Sequence, residues 1–242
     1  MLNKTLLSAA IATALMAGAV TAQAETEISG NVALTSDYKF RGISQSDESA
    51  ALQGGFDVAF DAGFYVGAWA SSVDFDTNLF GFDGSLELDY YAGWASDLGD
   101  SGNIGVDVGY MYYSYPGDDG PDGDYQEFYF KVNLWDGTLG AVYSDDYYGG
   151  TGEFYYLSGD YSIGLGDTFA IDLHLGYNDL EKNGGFLDTN TDSYIDYSVG
   201  VTASWLAVDW TLAYVGTDLD KKDVFGTEWG DDAAIFTISK SM

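Results

Sequence analysis

The sequence predicts an all-β protein: a transmembrane, antiparallel, up-and-down β-barrel of about twelve strands with short periplasmic turns and longer acidic extracellular loops. Three observations carry this expectation. Successive segments alternate apolar and polar side chains with period two, and charge collects on one face only. The connections between segments alternate between short and long. The aromatic residues gather towards strand ends.

Composition narrows the field first. The 242 residues include 32 Gly, 20 Tyr, only 2 Pro and no Cys, with 46% hydrophobic residues. Without Cys there is no disulfide framework, thiolate metal site or Cys nucleophile. Lys and Arg number 8 against 39 Asp and Glu, a formal charge of -31. That balance argues against nucleic acid as a partner, because phosphate binding needs a basic surface. So apolar a chain is not a disordered acidic one. High aromatic and Gly content fits β structure rather than a helical bundle.

The N-terminus reads as an address. Lys4 supplies a positive n-region, Leu6 to Val20 an Ala/Leu-rich apolar run, and Ala22-Gln23-Ala24 an A-x-A cleavage site. The run is short for a membrane-spanning helix, which needs about 20 apolar residues. The expected organisation is a cleaved signal peptide over 1–24 and a single outer-membrane barrel domain over 25–242.

The strands follow in order. The first, about 27–40, puts Ile28, Val32, Leu34, Tyr38 and Phe40 on the lipid face, opposite Asn31, Asp37, Lys39 and Arg41. The second, about 50–60, opposes Leu52, Phe56 and Val58 to Gln53 and Asp57. The third (63–73) and seventh (138–146) alternate less clearly; Trp69 and Val73 oppose Phe64 and Val66. The fourth sets Leu86, Leu88, Tyr90 and Trp94 against Glu87 and Asp89, and the fifth Val106, Val108 and Tyr110 against Asp107. The sixth opposes Phe128 and Phe130 to Glu127 and Lys131, and the eighth Leu157 and Tyr161 to Asp160. The ninth opposes Leu173 and Leu175 to Asp172 and His174, and the tenth Ile195, Val199 and Val201 to Asp196. The eleventh sets Trp210 and Leu212 against Asp209, and the last, about 233–242, Phe236 and Ile238 against Thr237 and Ser239.

The connections then sort by length. Short ones are centred on Asp61-Ala62-Gly63, Asp136-Gly137, Gly166-Asp167 and Leu206-Ala207, with a modest stretch near 96–102. Long, mostly acidic ones cover about 42–49, 74–84, 115–124, 145–153, 179–193 and 216–231. A soluble sandwich has no reason to sort its connections this way. Trp94, Trp135, Trp205 and Trp210 fall at the expected periplasmic ends. Tyr38, Tyr112, Tyr113, Tyr125, Tyr143, Tyr155, Tyr177, Tyr194 and Tyr214 fall towards the outer ends, as girdles at the headgroup level would. A lipid-facing Lys or Arg at the midplane costs about 2–4 kcal/mol. On the clear strands the outward face carries one charge, Lys240, close enough to the periplasmic end to snorkel.

One segment is distinctive: Ser36-Asp37-Tyr38-Lys39-Phe40-Arg41-Gly42-Ile43-Ser44-Gln45-Ser46. It continues through Ala51-Leu52-Gln53-Gly54-Gly55-Phe56-Asp57 and Gly63-Phe64-Tyr65-Val66-Gly67-Ala68-Trp69-Ala70-Ser71 to Leu86-Glu87-Leu88-Asp89-Tyr90-Tyr91-Ala92-Gly93. These stretches resemble the TorF family, Gram-negative outer-membrane proteins of inferred porin function, also catalogued as conserved proteins of unknown function. The resemblance spans the mature chain and is densest over 30–95. It implies location and fold more than substrate. The final residue, Met242, stands where outer-membrane barrels usually carry an aromatic, which bears on recognition by the barrel-insertion machinery.

Candidate chemistry lies on the lumen face. The acids there are Asp37, Asp57, Glu87, Asp89, Asp107, Glu127, Asp160, Asp172, Asp196 and Asp209; the bases are Lys39, Arg41 and Lys131. Acidic rings favour cations in a pore. The competing reading is a closed, packed barrel in which these acids pair with the bases or share protons. Lys39 and Arg41, beside Asp37, are expected near the outer mouth in a local ion-pair network or as an anion contact within the acidic lumen. His174 is the one His; without Cys it builds no ordinary zinc site, and no nearby Ser marks a Ser-His-acid esterase. No catalytic residue is required. Asp188, Asn190 and Asp192 resemble a D-x-N-x-D calcium loop, although Ser193 stands where Gly is usual and Val199 where Glu is. Asp118, Asp119, Asp122 and Asp124 read as a solvated loop.

The function expected is passive diffusion of small polar solutes, cations favoured, through a narrow lumen in the cell outer membrane. Partners are membrane lipid and lipopolysaccharide. The alternative is a non-conducting structural or surface-recognition barrel whose acidic loops meet cations, lipopolysaccharide or a partner. Either 179–193 or 216–231 is long enough to fold inward.

Overall fold

A computed structural model of the chain describes residues 26–75, 84–99, 103–117, 123–181 and 186–242. The expected signal peptide and Asp118, Asp119 and Asp122 lie outside them. The strands are β1 Glu27–Thr35, β2 Ala51–Ala59, β3 Phe64–Ser72, β4 Leu86–Asp97, β5 Ile104–Ser114 and β6 Tyr125–Leu134. They continue as β7 Gly137–Ser144, β8 Phe154–Leu165, β9 Phe169–Leu180, β10 Ser193–Trp205, β11 Val208–Thr217 and β12 Ala233–Ser241. Each pairs antiparallel with its sequence neighbours, and the sheet closes on itself. The seam runs from Asn31↔Ser241 to Thr35↔Thr237. Beyond it, Gly30 and Met242 exchange both backbone hydrogen bonds, at 3.0 and 2.8 Å.

The side-chain distribution is inverted relative to a soluble protein. Leu52, Phe56, Leu157, Leu175 and Leu212 are exposed on the outer surface, whereas Glu87, Asp196 and Thr211 are buried inside. Exposing so much apolar surface is favourable only against hydrocarbon, and there a sheet must close to satisfy its backbone. Period-two alternation places Asp107, Asp172 and Asp209 inward by the same rule that places their neighbours outward. Lys240 reaches the turn-end carbonyl of Ala207 at 3.2 Å.

Short connections all lie at one end. Leu206 and Ala207 both hold positive φ, 55° and 57°, the backbone of a two-residue hairpin whose twist matches its strands. The long connections lie at the other end. The two ambiguous strands also resolve. In β3, Phe64 and Val66 face out while Tyr65, Trp69 and Ser71 face in. In β7, Leu139 faces out and the buried Ser144 faces in.

The first strand departs from expectation. It ends at Thr35, not near 40. Tyr38 and Phe40, expected on the lipid face, are buried within the barrel at 5% and 9% exposure. The chain turns inward at residue 36 and forms a small hairpin with arms Lys39–Phe40 and Ile43–Ser44. The inserted loop is therefore the first one. Loop 218–232 packs on it from above, the Ser44 N–H donating to the Trp229 carbonyl at 3.0 Å. The outer aromatic girdle is corrected likewise. Tyr112, Tyr155, Tyr177 and Tyr214 are exposed on the outside, but Tyr38, Tyr113, Tyr125 and Tyr194 are buried inside.

Candidate functional site: a two-tier lumen

The lumen divides into a loop-side tier filled by the inserted hairpin and a turn-side tier lined by the strands. The hairpin leaves β1 and sets its tip against β10 and β11, from where the Arg41 side chain reaches β6. Its tip, Arg41-Gly42, has positive φ at both residues, 48° and 80°. A Cβ on Gly42 would lie 2.3 Å from Thr217 Cγ2 and 3.0 Å from Asp196 Cβ. Only glycine combines that left-handed backbone with so close an approach to β10 and β11. At the hairpin base, Asp37 Oδ1 accepts from the Ser44 hydroxyl (2.6 Å) and the Ser46 hydroxyl (3.1 Å). Lys39 Nζ donates to the carbonyls of Gly42 (3.3 Å), Trp229 (2.8 Å) and Asp231 (2.7 Å).

Arg41 is the centre of this tier. Its guanidinium forks onto Glu127 of β6, with bonds of 2.7 and 2.9 Å. Tyr113 donates a third hydrogen bond to Glu127 at 3.0 Å. Aromatic rings enclose the cation: its Cζ lies 4.5 Å from the Phe40 centroid, 4.6 Å from Tyr156 and 4.7 Å from Phe154. Phe154 in turn stacks on Tyr147 at 4.1 Å. Tyr38 donates to Glu87 at 2.8 Å and packs edge-on against Trp69. Glu87, Asp89, Glu127 and Asp196 are all buried under or beside the hairpin. Thus Asp37, Lys39 and Arg41, expected on the strand wall at the mouth, belong to an inserted element instead. The local network around Arg41 does form, but with Glu127 across the lumen rather than with Asp37 beside it.

The turn-side tier is built differently. Inward glycines leave slots in the wall, and tyrosines from the adjacent strand lie in them. The ring atoms of Tyr91 sit 2.4 Å from where a Cβ of Gly67 would be; Tyr65 covers Gly93 and Tyr129 covers Gly109 in the same way. The rings lie along the wall, and their hydroxyls point at carboxylates. Tyr91 donates to Asp57 at 2.5 Å and Tyr65 to Asp107 at 2.6 Å, with the Tyr65 and Tyr129 hydroxyls also in contact. Asp172 accepts from Ser162 at 2.8 Å and Thr202 at 2.9 Å, and Asp209 from Ser204 at 2.5 Å. Among the described residues, none of Asp57, Asp107, Asp172 and Asp209 takes part in an ion pair. Lys131, paired in register with Asp107, rests its Nζ 5.4 Å from the Tyr129 ring centroid.

His174 lies between the tiers. Its Nδ1 is 2.7 Å from Asp160 and its Nε2 2.8 Å from Asp196, with the Tyr156 hydroxyl at 3.0 Å. Asn178 donates to the other Asp196 oxygen at 2.7 Å. Both ring nitrogens lie within hydrogen-bond distance of carboxylates. Among the described residues no group of three or more His, Asp and Glu is gathered to hold a metal. The loop with Asp188, Asn190 and Asp192 is tied through its threonines: Thr189 and Thr191 donate to Asp223 at 2.6 and 3.2 Å.

The inserted hairpin and the Arg41–Glu127 pair are what the sequence reading missed. One signal pointed there. The connection after the first strand holds apolar Tyr38, Phe40 and Ile43 beside Arg41-Gly42, where a solvated loop would hold polar residues.

A closed barrel of this size, apolar outside and polar within, defines the class of outer-membrane porin-type barrels. Solved structures agree on the fold. The chain superposes on the KdgM porin with a TM-score of 0.54 at 10% identity, covering 88% of this chain and 97% of that one. For the NanC porin the TM-score is 0.54 at 11% identity, covering 88% and 98%. For the KdgM porin in complex with disordered oligogalacturonate it is 0.52 at 9% identity, covering 90% and 98%. No curated protein sequence matches the chain. The particular family is shown by sequence: the chain belongs to Gcw_chp, bacterial proteins of unknown function, whose model matches residues 19–242.

Proposed function

We propose that the protein is an outer-membrane, porin-like channel that passes small polar solutes by passive diffusion and favours cations. The observation that carries this reading is the bonding of the turn-side carboxylates. Asp57, Asp107, Asp172 and Asp209 are held by hydroxyls, not by cations. A hydroxyl orients a carboxylate without neutralising it, so the wall keeps an excess of negative charge for a passing solute. Two of the three lumen bases are spent elsewhere, Arg41 on Glu127 and Lys39 on backbone carbonyls, while Lys131 stands beside Asp107 on the wall. The fold shared with KdgM and NanC and the TorF resemblance support the same location and class.

Charge also separates this lumen from the ligand of a structural neighbour. KdgM has been solved with oligogalacturonate, an oligomer of an acid sugar. An acidic lumen repels such a polyanion, so the solutes here are cationic or neutral. No chemistry is required of the wall; it replaces part of a solute's hydration shell with carboxylates, hydroxyls and aromatic edges.

Planar-bilayer recording in a salt gradient tests the reading. The reversal potential should have the sign of cation preference, and Asp107→Asn with Asp172→Asn should move it towards zero. Anion preference in the unmodified protein would refute it. The buried hairpin favours a second reading, a barrel closed to solutes whose acidic loops meet cations, lipopolysaccharide or a partner. A folded sample that never conducts, even with the hairpin removed, would establish that alternative.

A further inference from the structure

The hairpin raises a question that the barrel alone does not. It fills the loop-side tier, yet no strand of the barrel pairs with it. The β1–β12 and β1–β2 ladders are complete up to Thr35 without any residue of the hairpin. The hairpin's own arms pair only with each other, Lys39↔Ser44 and Phe40↔Ile43. Its backbone ties to the rest of the protein lie at its base and go to loops, such as Asp74 N–H to the Gln45 carbonyl (2.9 Å) and Ser44 N–H to Trp229. Withdrawal would therefore break no strand-to-strand hydrogen bond of the barrel.

The tie that reaches furthest across the lumen is Arg41; Tyr38 on Glu87 and Lys39 on the loop carbonyls hold the hairpin nearer its base. A buried ion pair adds little net stability over well-packed apolar groups, because both charges lose their hydration, but it does specify one arrangement. The guanidinium fork fits the Glu127 carboxylate bidentately and from one direction only. On withdrawal both groups recover water, so the pair can break without stranding a charge. A pair of this kind serves as a latch that sets position better than as glue.

We propose that the segment 37–46 is a resident, withdrawable plug whose seating is set by the Arg41–Glu127 pair, the open channel being the state in which this hairpin has left the lumen. This rests on the channel reading above. Neutralising Glu127 leaves a guanidinium enclosed by aromatic rings with no carboxylate partner, and the hairpin moves out to rehydrate it. Making both partners apolar removes that drive and lets the surrounding rings of Phe40, Phe154 and Tyr156 hold the tip.

The chain contains no Cys, so a single introduced thiol reports on the plug alone. Ile43 is buried at the hairpin and makes an apolar contact that a thiol can replace. In liposome-reconstituted protein, Ile43→Cys should react slowly with a bulky, membrane-impermeant maleimide. Adding Glu127→Gln should speed the reaction at least tenfold. Adding Arg41→Met and Glu127→Met together should return it to within about threefold of the starting rate. Heat-modifiable gel mobility verifies that each barrel is folded. Equal rates in all three proteins would overturn the latch, and so would rapid labelling of Ile43→Cys itself. In parallel, replacing 37–49 by a short Gly/Ser linker should raise unitary conductance severalfold. If labelling follows the latch but the shortened barrel stays silent, the plug stands and the channel reading falls. If conductance is the same with and without the hairpin, the channel stands and the plug falls.

Discussion

In the loop-side tier, Glu87, Glu127 and Asp196 meet groups that the first loop brings to them: the Tyr38 hydroxyl, the Arg41 guanidinium and the tip at Gly42. In the turn-side tier, Asp57, Asp107, Asp172 and Asp209 meet hydroxyls that belong to the wall. Both tiers use carboxylates and tyrosines, with different consequences. Where rings stack on one another and a guanidinium sits between them, the lumen is packed as a core is packed. Where rings lie in glycine slots, they are held against the wall, and Tyr91, Tyr129 and Asp107 are buried there by the wall's own side chains. What fills an acidic lumen is thus decided less by its charge count than by where its tyrosines find room.

The sharpest way to break this contrast is to remove a ring from the filled tier. Phe154 is fully buried, stacked on Tyr147 and set against Arg41. Phe154→Ala should cost about 3–5 kcal/mol, as for a large-to-small change in a packed core. Reversible urea unfolding of the reconstituted barrel measures it. A loss under about 1 kcal/mol would mean that this tier is not packed as a core.

The turn-side tier answers to glycine instead. Gly67→Ala places a methyl where the Tyr91 ring now lies, 2.4 Å from its carbons. The ring must leave the wall, give up Asp57 and project towards the axis. We expect a cost of about 1–3 kcal/mol, typical of overpacking, together with reduced unitary conductance. Combining it with Tyr91→Ala should restore conductance, since no ring then remains to project. A smaller effect isolates the hydroxyl. Tyr91→Phe keeps the ring in its slot and removes only the bond to Asp57, for about 0.5–1.5 kcal/mol. If its cost matched that of Gly67→Ala, the slot itself would have no energetic role.

The barrel was legible because period two is a geometric necessity of a strand. Oil outside and polar groups inside write that period into the sequence, as in Leu173 and Leu175 against Asp172 and His174. The inward set of acids was legible for the same reason. The hairpin was not. Tyr38 and Phe40 continue the parity of Leu34, and parity cannot tell a strand that goes on from a chain that turns into the lumen with apolar residues still needing cover. The partner of Arg41 was equally hidden, because Glu127 lies 86 residues away and only ring closure brings the two together. The glycine slots at Gly67, Gly93 and Gly109 were hidden as well; their meaning needs the register that sets each opposite a tyrosine.

The smallest expected effect lies at the rim, where the loop over the plug is tied down. Partial burial pushes the Asp223 carboxyl up, but the hydroxyls of Thr189 and Thr191, the Asp220 N–H and the nearby Lys222 outweigh it and hold it below the ordinary carboxylate range. A carboxyl held low in the folded loop and ordinary once the loop opens favours the tied state above the ordinary value, about 3.9. That contribution fades as pH falls from there through the lowered folded value. Amide hydrogen exchange over 219–224 should therefore be protected near neutral pH and lose protection in that acidic window, after correction for intrinsic rates. Asp223→Asn keeps the shape but has no proton to gain, so its protection should start lower and stay flat across the same window. Identical pH profiles for the two proteins would show that Asp223 does not tie the rim, and that the cover over the filled tier rests on Trp229 and its contacts with the hairpin alone.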